Sequence, residues 1–187
     1  GLDLNDAYFE AVSGITTTGA TVIYGLDDLP PGMNLWRGML NSLGGLGIVF
    51  IAMIFLPVLR VGGMQYFRTE GFDTFGKVLP RATDIARQLL IVYFGLTLIT
   101  IITYRALGMD PLSAVVNGLS TVSTGGFSND DSSFTRFSAP IQYMGALFMF
   151  VSSLPYIRFV QALAGQVSPM WQDSQTRAYF RWVAYAV

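Results

Sequence analysis

The chain has 187 residues, of which 52% are hydrophobic and 12% charged, with a mean hydropathy of +0.48 and a formal net charge of -1. Ordinary soluble domains are about a quarter charged, so this composition excludes an ordinary soluble domain and points toward lipid. Cysteine and histidine are both absent, which excludes disulfides, thiolate metal sites, a cysteine nucleophile and the commonest general base. No basic stretch is dense enough for nucleic acid.

The first residues are acidic and lack the positive start of a signal peptide. Asp6 reads as the N-cap of a short helix from about Ala7 to Ile15, with Asp3, Asp6 and Glu10 suiting its dipole. Such a helix is too short to cross a bilayer, which takes about 20 residues, so it is interfacial or re-entrant. It runs into Ser13-Gly14-Ile15-Thr16-Thr17-Thr18-Gly19-Ala20-Thr21, a run of small hydroxyl residues closing on glycine. A turn-rich acidic loop follows, holding Gly25, Asp27, Asp28, Pro30, Pro31 and Gly32. From Gly38 to Leu59 nothing is charged, between Arg37 and Arg60, which predicts a first membrane span ending near Leu56-Pro57. Gly44, Gly45 and Gly47 in its first half serve either close helix packing or a pore-lining or hinge role.

Residues 60–85 form a polar, basic connection with several glycines. A second span is predicted over Ala86 to Met109, with Arg105 snorkelling at its far end. Asp110-Pro111 then gives a strong start for a second short helix, reaching about Ser120. It leads into Leu119-Ser120-Thr121-Val122-Ser123-Thr124-Gly125-Gly126-Phe127, a second hydroxyl-rich run ending in Thr-Gly and followed by an acidic turn at Asp130 and Asp131. Ala139 to Ile157 is uncharged between Arg136 and Arg158 and predicts a third span. Gln161 to Gln175 reads as a polar connection, and Arg177 and Arg181 introduce a last apolar segment, so the chain reads as part of something longer.

The basic residues Arg60, Arg68, Lys77, Arg81, Arg87, Arg158, Arg177 and Arg181 fall on one side of this topology. Only Arg37, Arg105 and Arg136 fall on the other, with most of the acids. By the positive-inside bias both hydroxyl-rich loops face outward, beneath an acidic vestibule that would concentrate cations. Gly19 and Gly125 lie 106 residues apart. Between them run a span, the basic connection, a second span and a short helix, so the repeating unit is span, short helix, loop and span. The chain therefore divides into the end of a first unit (residues 1–59), the connection (60–85), a second unit (86–166) and the start of a third (167–187). Each loop alone suits an ordinary turn or a small-residue packing surface. Two copies in the same context suit re-entrant loops whose backbone carbonyls replace the hydration shell of a cation. Unpaired backbone at membrane depth is tolerated only inside protein or against water, so such units must close around an axis.

The stretch from Asp6 to Thr21, Gly44-Gly45-Leu46-Gly47-Ile48, Leu56-Pro57, Val61-Gly62-Gly63-Met64-Gln65 and Ser123-Thr124-Gly125-Gly126-Phe127-Ser128 together resemble the Trk/Ktr/HKT family of potassium transporters, over nearly the whole chain and in the right order. The resemblance implies an all-α membrane protein in which this chain supplies part of a four-repeat, potassium-channel-like pore. It implies K+ as the transported ion and no covalent cofactor. Filter carbonyls would come from Thr17, Thr18 and Gly19 and from Ser123, Thr124 and Gly125. Thr16 and Val122 would complete the ion-binding stretch, with Ala20 and Gly126 flanking. K+ itself would be held by the backbone carbonyls of Thr17, Thr18, Ser123 and Thr124. The implied partners are the lipid bilayer, the remaining repeats, a second copy in a homodimer and a cytosolic nucleotide-binding regulatory subunit. The implied location is the bacterial inner membrane, multi-pass, with the filter loops outside.

Two rival readings are a membrane-embedded enzyme and a non-conducting scaffold. The spans hold no Asp, Glu, Lys, His or Cys in their uncharged cores, and hydroxyls without a base make weak nucleophiles. A scaffold explains the spans but not the duplicated loop. Gly44-Gly45-Leu46-Gly47 lacks the lysine of a phosphate-binding loop and sits in an apolar run.

Overall fold

A computed structural model describes residues 3–50, 82–163, 165–166 and 173–186. Among these residues the fold is all-α, with no strand. The helices are α1 (Leu4–Ile15), α2 (Pro31–Phe50), α3 (Ala82–Ala106), α4 (Pro111–Val122), α5 (Ala139–Ser152), α6 (Tyr156–Leu163) and α7 (Ser174–Ala186). The end of the predicted first span from residue 51 on, with Leu56-Pro57, lies outside the described residues. So do Val61-Gly62-Gly63-Met64-Gln65 and the inner charges Arg60, Arg68, Lys77 and Arg81.

The two short helices are built alike. Each has 12 residues and begins after an extended aspartate, Asp3 or Asp110, 107 residues apart. Asp3, not Asp6, caps α1: its carboxylate accepts from Leu4 N–H at 2.8 Å and its carbonyl from Ala7 N–H at 2.9 Å. Asp6 instead lies in the first turn, where a negative charge suits the helix dipole. Asp110 accepts from Ser113 N–H at 3.0 Å, with Pro111 opening α4.

α3 carries the clearest mark of a membrane. Residues Ala86–Ala106 are long and apolar enough to cross one. One face of the helix exposes Ile91, Phe94, Leu98 and Ile102 at helical spacing, while Leu89, Tyr93, Thr100 and Tyr104 are buried opposite them. That buried face packs against α4, and α4 in turn packs on α2, so the second short helix is held between two long ones. Two apolar clusters flank it. Tyr104, Met109, Ala114, Ile141 and Phe148 form one; Leu89, Val92 and Val160 form the other.

Two expectations change. α2 starts at Pro31 rather than near Gly38, so Arg37 is not a flanking outer charge but a buried residue inside the helix. Arg105, exposed at the end of α3, reaches past the helix end to the Met109 carbonyl. The predicted third span is broken: α5 ends at Ser152 and α6 leaves it at 86°. Pro155 has no N–H to continue the ladder, and the residue before it is biased away from helix. Ser153 N–H bonds Met149 O at 3.1 Å and Leu154 N–H bonds Val151 O at 3.2 Å, so the break is closed by its own backbone.

Burial pushes the Asp110 carboxyl up, but the hydrogen bonds from Ser113 outweigh it and hold the group below the usual 3.8. Its stabilisation is therefore complete above 3.8 and is lost as pH falls through the lower folded value. Asp110→Ala is expected to cost about 1 kcal/mol at neutral pH. The loss should shrink at acid pH in thermal unfolding of the detergent-solubilised protein.

Candidate functional site

Both hydroxyl-rich loops begin with the same helix ending. In the first, Thr17 N–H bonds Gly14 O at 3.1 Å and Thr18 N–H bonds Ser13 O at 2.9 Å. In the second, Thr124 N–H bonds Thr121 O at 3.1 Å and Gly125 N–H bonds Ser120 O at 2.9 Å. These paired bonds are a Schellman ending, in which the residue just past the cap turns left-handed. Here that residue is threonine, at φ 55° in Thr17 and 53° in Thr124. A β-branched residue in this region is an outlier that costs about 1–3 kcal/mol. Glycine would fill the position without that strain.

The helix endings correct the register between the loops. Thr17 corresponds to Thr124, Thr18 to Gly125 and Gly19 to Gly126, all at a spacing of 107. Gly19 and Gly126 are both left-handed, at φ 76° and 92°, whereas Gly125 is not. Matching the two Thr-Gly pairs by letter slips the alignment by one residue, because the second loop has glycine where the first has Thr18. Thr16 then corresponds to Ser123 and Ala20 to Phe127.

The loops touch. A Cβ on Gly19 would fall 2.0 Å from the Gly125 carbonyl oxygen and 3.2 Å from the Gly126 Cα. α2 supports both loops from behind. A Cβ on Gly44 would meet the Ile15 carbonyl oxygen at 2.0 Å, and one on Gly45 would meet the Ser123 Cα at 2.9 Å. Gly47 has nothing within 4 Å. Gly44 and Gly45 thus lie where helix and loop backbones approach closely, and Gly45 also lines the cavity beneath the loops. Asn41, fully buried, reaches across the junction. In the amide orientation that satisfies both its ends, it donates to Gly14 O at 2.8 Å and accepts from Phe127 N–H at 3.2 Å.

Buried charge completes the support. Glu10 on α1 accepts from Thr21 Oγ1 at 2.9 Å, Val22 N–H at 3.1 Å and Arg37 Nε at 2.8 Å. The other guanidinium nitrogens donate to Ser128 O at 2.9 Å, Asn34 Oδ1 at 3.3 Å and Thr21 Oγ1 at 3.2 Å. The Arg37 guanidinium also lies 4.3 Å from the centre of the Phe127 ring. Removing one partner of such a pair strands the other and costs roughly 3–5 kcal/mol. The second unit has a neutral counterpart: Asn117, at the position of Glu10, donates to Asn129 Oδ1 at 3.0 Å. Glu10, Thr21, Arg37 and Asn41 were not among the predicted site residues. Their signal was the spacing of Asn34, Arg37 and Asn41, a polar stripe along one face of an otherwise apolar helix.

Outside the loops, two of the acids predicted to form a vestibule are bonded within the protein. Asp131 accepts from Gly25 N–H at 2.8 Å and Leu26 N–H at 2.9 Å, and Asp130 pairs with Arg136. On the opposite side of the loops lies a cavity of about 150 Å³, lined by Thr17, Ser123, Thr124, Tyr93, Ser152 and Tyr156 among others. The left-handed threonines of both loops face this space.

The family model described as TrkH, cation transport protein, matches residues 1–181. The chain belongs to the TrkH family. It is 42% identical over 178 residues to the Trk system potassium uptake protein TrkI of Halomonas elongata, covering 94% of this chain and 36% of that protein. It is 37% identical over 182 residues to the Trk system potassium uptake protein TrkH of Escherichia coli K12, covering 95% and 38%. The crystal structure of the potassium transporter TrkH from Vibrio parahaemolyticus matches with a TM-score of 0.82 and 34% identity, over 96% of this chain and 36% of that one. The chain thus spans a little over a third of the length of the relatives it matches. Membership of the TrkH family makes it a membrane protein of a transport family rather than an enzyme.

The glycines of this TrkH-family segment allow a direct comparison. Gly44→Ala forces a Cβ into a backbone carbonyl and is expected to cost roughly 1–3 kcal/mol or more. Gly47→Ala, with open space around it, is expected to be neutral or stabilising by up to about 1 kcal/mol. Unfolding temperatures of the two purified variants measure the difference.

Proposed function

We propose that this segment forms two of the filter loops of a Trk-type K+ uptake pore, in which backbone carbonyls of residues 17–19 and 124–126 take the place of water around the ion. The observation that carries the reading is the direct contact of two equivalent loops, each springing from the C-terminal end of a short helix. Those helix ends each carry roughly half a negative charge, which favours a cation beside them. In each loop left-handed residues alternate with others, at Thr17 and Gly19 and again at Thr124 and Gly126. Alternation of that kind turns successive peptide planes the same way, so neighbouring carbonyls can share one ion. Thr16, Ser123 and Val122 lie at the inner edge of the loops, and Ala20 and Phe127 at the outer edge. An ion leaving the loops enters the hydroxyl-lined cavity below them.

The relatives are named potassium uptake proteins, and potassium is accordingly the proposed ion. The other repeats of a full-length transporter close the ring. A homodimer, a cytosolic nucleotide-binding regulatory subunit and a multi-pass place in the bacterial inner membrane, filter loops outward, complete the proposal on the strength of the family resemblance.

The test is made in a full-length Trk-type transporter carrying these residues, with Rb+ uptake measured against competing Na+. Gly19→Ser and Gly126→Ser are each expected to reduce the preference for Rb+ over Na+ by tenfold or more, about 1.4 kcal/mol. Unchanged preference in both variants would remove these glycines from the filter.

A further inference from the structure

Arg37 touches the two loops at equivalent places. Thr21 lies two residues beyond Gly19 and Ser128 two residues beyond Gly126, and the two are 107 residues apart, the spacing of the units themselves. One guanidinium donates to the Thr21 hydroxyl at 3.2 Å and to the Ser128 carbonyl at 2.9 Å while its Nε is held by Glu10 at 2.8 Å. The ion pair at its centre is closed to solvent, with Arg37 at 2% exposure and Glu10 at 6%, while Thr21 lies at the surface. Glu10 adds a bond to the Val22 N–H, fixing the first loop's exit from a second direction.

We infer that the Glu10–Arg37 pair is a positioning element for ion selectivity, setting the height of one filter loop against the other. The inference rests on the pore reading above and deepens it. Selectivity by backbone carbonyls depends on how many reach the ion at once and at what distance. Two loops anchored separately drift independently. Two loops pinned to one planar, rigid fork keep a common register, and a planar guanidinium holds several acceptors in fixed directions where an ammonium does not. The second unit has no such cation at its own helix: its Asn117 bonds only within its own loop and helix, to Asn129 and Ser113. Asp131 ties Gly25 and Leu26 further out, and at the paired positions 21 and 128 the link between the loop exits runs through Arg37.

The experiment uses the same full-length transporter, with Rb+ uptake, Na+ competition and membrane abundance measured for Arg37→Lys and for Thr21→Val. Thr21→Val removes one hydroxyl of the link at nearly constant volume and leaves the direct Glu10–Arg37 bond at 2.8 Å in place. At abundance equal to the parent, Thr21→Val is expected to lower the Rb+ over Na+ preference several-fold and Arg37→Lys about tenfold. A merely structural role would lower abundance and leave the preference of the surviving protein unchanged. Unchanged preference in Thr21→Val, with Arg37→Lys either unchanged or not accumulating, would overturn the inference while leaving the pore reading in place. A parent that takes up no Rb+ would overturn both.

Discussion

A charge inside a membrane protein must be answered in full, and the Arg37 guanidinium sets the terms for everything around it. Its Nε meets a carboxylate, and its other nitrogens meet a carbonyl, an amide oxygen and a hydroxyl from three different segments. Those acceptors exist only when α1, α2 and both loops are in their places. The pair is therefore less a source of stability than a condition on geometry: the fold that leaves it unsatisfied is excluded. Asn41 imposes a similar condition one turn further along α2, since its amide joins the end of α1 to the backbone of the second loop. Gly44 and Gly45 let the backbones come close enough for both conditions to be met.

The same logic explains the strained threonines. A Schellman ending calls for a left-handed residue, and glycine supplies it without steric cost. Thr17 and Thr124 accept the strain in both units and in return present a side chain to the cavity below. Local strain of this kind persists only where the surroundings over-determine the backbone. Here the over-determination is visible: Ser13 Oγ holds the Ala20 carbonyl at 2.5 Å, Asn41 holds the helix end, and Arg37 holds the exits.

Much of this was legible in the residues. Asp110-Pro111 announced α4, the uncharged run after Arg87 announced α3, and the duplicated hydroxyl-glycine run announced the paired loops. What was not legible depended on contacts between units. Arg37 reads as a charge at the edge of an apolar run until the carboxylate of Glu10, 27 residues away, is seen beside it. The one-residue register shift is invisible in letters, because Gly125-Gly126 offers two partners for Gly19 and only the hydrogen bonds choose between them. Asp130 and Asp131 read as a free acidic turn, and their neighbours at Arg136, Gly25 and Leu26 are set by packing. The break near Pro155 was hidden inside an uncharged stretch whose composition says nothing about direction.

That break makes the two units alike at the loops and unlike beneath them. At the 107-residue spacing, Ser153 to Pro155 corresponds to Leu46 to Ile48 of α2, which stays helical throughout. On one side of the space under the loops α2 is helical as far as Phe50. The other is an elbow, whose hydroxyl at Ser153 meets the Tyr179 hydroxyl of α7 at 2.5 Å. The elbow thereby fastens this wall of the cavity to α7, through the hydroxyl pair and the stacking of Phe150 on Tyr179.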